Sequence, residues 1–207
     1  VHPDTFAIDH EARRLVFPMR NDRLSIPLLW LAVAAHGFVL WLAWQWFAEL
    51  PERFPVHFDL AGRPDGWSTK SPTSWFLAPG IGVVLGAFLT VLAMATPRLA
   101  LRHAKLVNMP RKAQFLALPP EGRAAAMLPT RWYLLALVVL LAGLFGWIVD
   151  GSARVAVGQW QELPPWPVLA FVGLVVGLLP VYLWLTVRTI DAATRRAQQG
   201  QQAAAAG

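Results

Sequence analysis

The sequence has no cysteine among its 207 residues. That excludes disulfide frameworks, thiolate metal centres and cysteine nucleophiles, and it removes thiols as a guide to compartment. Charge is also scarce: 14% of the residues are Asp, Glu, Lys or Arg against 56% hydrophobic, too apolar for a soluble domain of this length. No nucleophile elbow, phosphate-cradling glycine loop, dinucleotide fingerprint or haem motif occurs, so an enzyme is not indicated and no cofactor is expected. The net charge of +6 comes without a basic, aromatic-interleaved module, so nucleic acid is not an expected partner. Lys and Arg gathering beside cytoplasmic headgroups account for the excess.

What the chain has instead is four apolar blocks without Asp, Glu, Lys or Arg, at about 25–48, 75–96, 132–149 and 165–187. At about 1.5 Å per residue the first more than covers a hydrocarbon core of roughly 30 Å. It is too long for a signal peptide and leads into Glu49-Leu50-Pro51 with no small-residue cleavage pattern, so it reads as a permanent span. The fold class expected is an all-α integral membrane protein: a four-transmembrane-helix bundle with a short ordered outer loop (49–74) and interfacial helices in a cytoplasmic loop (97–131). A cytoplasmic segment (1–24) precedes the membrane domain (25–189), and a flexible tail (190–207), poor in apolar variety, follows it.

Orientation follows from counting cations. Arg13, Arg14, Arg20 and Arg23 precede the first span; Arg98, Arg102, Lys105, Arg111, Lys112, Arg123 and Arg131 fill the middle loop; Arg188, Arg195 and Arg196 follow the last span. These are 14 of the 18 positive residues, which places both termini in the cytoplasm. Trp30, Trp46, Trp75, Trp132 and Trp166 lie near span ends, where indole rings favour the headgroup level. Leu99, Leu101, Leu106 and Val107 are expected on the lipid side of the middle loop, with Arg98, Arg102 and Lys105 reaching for phosphates.

Inside the spans, Ala78, Gly82 and Gly86 share one face, and Gly173 and Gly177 another. Small residues four apart let helices approach closely, within one chain or in a homo-oligomer. Pro180 should kink the fourth span. His36 is the one ionisable residue deep in a span, a candidate for a proton relay or ligand contact, set against a neutral imidazole bonded to a neighbouring helix carbonyl.

The loop between the first two spans carries the most information. Val56 and Phe58 alternate with His57 and Asp59, and Arg63-Pro64-Asp65-Gly66 is placed for a tight reversal. An extended-turn-extended cap is therefore expected, folded back by Phe54, Phe58 and Trp67. His57, Asp59 and Asp65 are the candidates for a metal. The preferred reading is plainer and needs no metal: backbone hydrogen bonds for His57, an Asx-type turn at Asp65, and ion pairs from Arg53, Arg63 or Lys70.

Leu50-Pro51, Pro55-Val56-His57-Phe58, Gly62-Arg63-Pro64-Asp65-Gly66-Trp67 and Lys70 together resemble the small bacterial membrane domain of unknown function at the amino end of SdpI-type proteins. Asn108-Met109-Pro110-Arg111-Lys112 is similar to an Asn-Xaa-Pro element of the same broad group. The resemblance implies a bacterial inner-membrane protein of immunity or signalling type that recognises a protein or peptide partner. Pro55, His57, Phe58, Asp59, Pro64, Asp65, Gly66, Trp67 and Lys70 would form the recognition surface. The four predicted spans depart from the longer membrane region of those proteins. Two other classes stand beside this one: an accessory subunit of a larger membrane complex, and a metal-dependent membrane enzyme.

Overall fold

The computed structural model describes residues 22–205. Most of the amino-terminal segment, including Arg13, Arg14 and Arg20, lies outside them. Four long helices dominate: α1 Ser25–Glu49, α2 Pro72–Arg102, α5 Leu128–Ala156 and α6 Trp166–Ala205. Between α1 and α2 lie β1 Arg53–Phe58 and β2 Pro64–Thr69; a 3-10 turn, Ala104–Leu106, and two short helices, α3 Lys112–Ala117 and α4 Pro120–Ala126, separate α2 from α5. Four stretches, with α4 and α5 counted as one, are long and apolar enough to cross a membrane. Their exposed side chains include Trp30, Trp41, Trp44, Phe88 and Val84. So much apolar surface is stable only against acyl chains, and the chain is a multi-pass membrane protein of all-α class.

The helices outrun the apolar blocks. A helix of 40 residues, such as α6, rises about 60 Å, twice the roughly 30 Å of hydrocarbon. Where composition suggested a frayed tail, residues 190–205 continue α6 without a break. Ala, Gln and Arg are strong helix formers, and the buried Ile190 ties this part of the helix to a core. Pro180 lies inside α6.

The chain divides into two compact units, a division that falls within α1, α2, α5 and α6. One comprises Leu28–Thr90 and Leu135–Gly177. Its core gathers Val39 and Ala43 of α1, Phe54 of β1, Trp75 of α2, and Ala142, Val149 and Ala153 of α5, with Leu50 at the start of the loop. Gly82 and Gly86 are tight spots here. A Cβ on Gly82 would sit 2.7 Å from the Phe145 ring, and one on Gly86 would sit 2.6 Å from His36 Nε2. Gly173 and Gly177, by contrast, meet nothing within 4 Å.

The other unit holds the described residues of 1–27, 91–134 and 178–207. Its core is built from Ala100, Ala104, Val107, Met109, Phe115, Leu118, Met127 and Ile190. Arg111 takes a left-handed φ of 55° at the start of α3 and pairs with Asp191 of α6. The middle segment is thus a folded layer with its own core. Val107, expected on the lipid side, is buried in it, whereas Leu106 is 74% exposed.

Candidate functional site

The hairpin β1–β2 gathers most of the residues the sequence singled out. It is antiparallel, pairing Arg53 with Thr69, Phe54 with Ser68, Pro55 with Trp67, His57 with Gly66 and Phe58 with Pro64. The register shifts on both sides of His57, leaving Val56 on one strand and Asp65 on the other as extra residues. A regular strand turns successive side chains to opposite faces. The irregularity breaks that rule: Val56 and His57 are consecutive and both exposed. Gly66 is required opposite His57, because a Cβ there would lie 2.8 Å from the His57 Cβ.

The reversal lies four residues upstream of its expected place. Asp59 Oδ1 accepts from the Ala61 and Arg63 N–H groups, 2.8 Å each, and the Asp59 N–H donates to the Arg63 carbonyl. Asp59 therefore makes the Asx-type turn assigned to Asp65, and Pro64-Asp65-Gly66 stand in β2. The shift follows from Gly62, whose φ of +83° suits the turn better than any residue between Arg63 and Asp65. Asp65 is left free to meet His57: Oδ1 lies 2.5 Å from Nδ1, with the side chains 48% and 72% exposed. Among the described residues no group of three or more His, Asp or Glu is placed to hold a metal. The Asp59 carboxylate is spent on the turn.

Three anchors fix the hairpin to the unit around it. Ser152 Oγ–H of α5 donates to the Pro55 carbonyl over 2.5 Å in a buried contact. The Leu163 N–H donates to the Gly62 carbonyl at 2.7 Å, and the approach is so close that a Cβ on Gly62 would fall 2.0 Å from the Leu163 oxygen. Lys70 Nζ donates to the Leu50 carbonyl at 2.8 Å and to that of Ala48 at 3.4 Å. There it closes the end of α1 and stands over the Phe47 ring. Phe54 is buried edge-on against Trp75, whose indole N–H donates to the Ala43 carbonyl over 2.8 Å.

The candidate recognition residues therefore separate into two sets. Pro55, Asp59, Gly66 and Lys70 build the hairpin, and Phe58 and Pro64 are half-buried at its register end. His57, Asp65 and Trp67 face outward, joined by Val56 and by Leu60 at the tip, which is 99% exposed.

His36 bonds within its own helix, not to a neighbour: Nδ1 lies 2.9 Å from the Ala32 carbonyl. A carbonyl only accepts, so Nδ1 carries the proton, and the buried Nε2 beside Gly86 has no hydrogen-bond partner among the described residues. Nor do the tryptophans act alike. Trp30 and Trp166 are exposed, whereas Trp75, Trp46 and Trp132 spend their N–H groups on Ala43, Asp150 and Asp22.

Asp22 belongs to no motif of the sequence, yet it stands at the centre of a buried cluster. Its carboxylate accepts from Arg131 at 2.5 Å, from Trp132 Nε1 at 3.0 Å and from the Ser25 N–H at 3.2 Å, with the Asp22 and Arg131 side chains 7% and 3% exposed. Burial pushes the carboxyl up, but the hydrogen bonds from Ser25, Trp132 and Arg131 and the guanidinium charge outweigh it, so its pKa lies below the ordinary 3.8. An acid and a base each standing at the mouth of a span was the available signal.

Residues 30–83 match the profile of a family described as a domain of unknown function (DUF1648). The match takes in most of α1, the whole hairpin and the first part of α2, about a quarter of the chain. No curated protein and no solved structure matches the sequence.

Proposed function

We propose that this chain is a non-enzymatic multi-pass protein of a bacterial cytoplasmic membrane that recognises a protein or peptide partner through the hairpin, in an immunity or signalling role of SdpI type. The observation that carries the reading is the contrast within the hairpin. Its backbone is anchored by Ser152, Leu163 and Lys70, while Val56, Leu60 and Trp67 stay exposed around the His57–Asp65 pair. Burying none of them helps the fold, and an exposed Trp beside polar groups on a rigid frame is the composition of an interaction hot spot. The motif resemblance and the matched domain over 30–83 lend support at the level of the module. Positive-inside asymmetry puts the hairpin on the outer face, where a secreted partner would meet it.

The test is a photocrosslinking amino acid placed at Trp67 or Val56 in cells, with Val84 of α2 as the lipid-facing control. A discrete adduct from the hairpin positions alone, abolished by H57A/D65A, is the expected result. Absence of hairpin adducts, or the same adduct from Val84, refutes the reading. A second reading, an accessory subunit, is favoured by α6, whose most apolar stretch has no buried residue and whose Gly173 and Gly177 have nothing packed on them. Isolation of a stoichiometric larger complex in mild detergent would select it.

A further inference from the structure

The stretch from the end of α2 to the start of α5 carries more cations than acids, and the acids that pair with it come from outside it, Asp22 and Asp191. Residues 97–131 contain seven Lys and Arg and one acid, Glu121. Arg131 is paired with Asp22, Arg111 with Asp191, and Arg123 Nε–H donates to the Leu118 carbonyl. Arg98, Lys105 and Lys112 are exposed and form no ion pair among the described residues. Arg98 and Arg102 stand one helical turn apart on α2, just past the apolar run that ends near Thr96. Lys105 follows in the 3-10 turn beside Leu106.

Leu106 is the telling residue. It is 74% exposed, although Ala104 and Val107 in the same turn are buried in the unit's core. A bare leucine next to Lys105, just past the end of a membrane helix, suits the boundary between headgroups and acyl chains, where stem and head are solvated differently. The same unit holds a second contact of interfacial type: Arg188 stacks 4.0 Å over the ring of Trp184, itself 52% exposed on α6. An exposed indole under a cation is the arrangement of the membrane–water belt.

We propose that this face binds anionic phospholipid, with phosphodiester oxygens accepting from Arg98 and Lys105 while Leu106 sinks among the acyl chains. Free phosphate offers the same oxygens, but only a lipid also covers Leu106. The proposal does not depend on what the hairpin recognises or on which leaflet the basic end faces.

The test uses the full chain in nanodiscs of phosphatidylcholine alone or mixed with phosphatidylglycerol, reading the thermal midpoint and, by native mass spectrometry, the lipids retained. Phosphatidylglycerol should raise the midpoint and be retained in preference. R98Q/K105Q should keep the wild-type midpoint in phosphatidylcholine and lose that preference by on the order of tenfold, each surface cation contributing several-fold. Undiminished preference in R98Q/K105Q overturns the proposal, and so does an equal rise produced by inorganic phosphate in phosphatidylcholine discs. L106S removes no charge and reads the site independently should the double variant misfold. A lowered retention of phospholipid of either headgroup supports the acyl contact, and an unchanged retention overturns it.

Discussion

Gly62 answers to two constraints at once: its φ of +83° and the Leu163 oxygen 2.0 Å from where a Cβ would stand. G62A must therefore strain the backbone and push the turn off the loop that precedes α6. We expect a loss of about 2–3 kcal/mol, combining left-handed strain with displacement of a backbone contact. Thermal unfolding in detergent checks it; a variant as stable as the wild type would show that the Gly62–Leu163 hydrogen bond contributes little. Asp22 carries a different kind of constraint, a charge. Because its pKa is lowered on folding, the stability it contributes is complete above the ordinary carboxylate pKa of about 4 and is lost as pH falls through the lower folded value. D22N leaves Arg131 as an uncompensated buried cation, which costs about 3–5 kcal/mol. The difference in midpoint between wild type and D22N should be full at pH 6 to 7 and shrink in acid, since protonated Asp22 is as neutral as Asn. A difference independent of pH would mean that the carboxylate charge is not what holds Arg131.

At the scale of elements, the hairpin shows what was legible beforehand and what was not. Alternation at Val56–Asp59 announced a strand, and the Pro and Gly of Arg63–Gly66 announced a reversal. The turn moved upstream because an Asx cap at Asp59 followed by Gly62 closes the chain with more hydrogen bonds than a Pro-Asp turn offers. The motif resemblance puts Lys70 on a recognition surface, whereas its ammonium closes the end of α1. That is a tertiary contact across 20 residues, which no local pattern reports. The helical continuation of α6 past residue 190 is hidden for the same reason: composition says nothing of the core that Ile190 enters. Two substitutions separate scaffold from surface. K70M keeps the stem over Phe47 but removes the donor, and should cost about 1 kcal/mol. V56A/W67A should change stability by less than about 0.5 kcal/mol while abolishing crosslinks from a photoreactive residue placed at the exposed Leu60, as expected of surface positions. Equal destabilisation by both would make the hairpin face structural and remove the main support for partner recognition.

For the whole molecule the decisive quantity is the direction in which the chain is threaded. Four long apolar helices are clear from hydropathy alone, because length and lack of charge are properties of the sequence and owe nothing to packing. Direction is a kinetic and electrostatic matter, decided by which flanks carry Lys and Arg during insertion. The stretch 97–131 holds seven such residues, whereas residues 49–74 hold Arg53, Arg63 and Lys70 against Glu49, Glu52, Asp59 and Asp65. The absence of native cysteine makes the contrast directly measurable. Leu60 is 99% exposed and Lys112 of the middle stretch is exposed too, so a thiol at either position would be open to solvent without disturbing a core. In intact cells a membrane-impermeant maleimide should modify L60C and spare K112C, and both should react once the membrane is opened. The inverse pattern would turn the chain over. The hairpin would then face the cytoplasm, a secreted partner could not reach it, and the recognition proposal would have to be recast for an intracellular one, while the phospholipid site at Arg98 and Lys105 would stand unaltered.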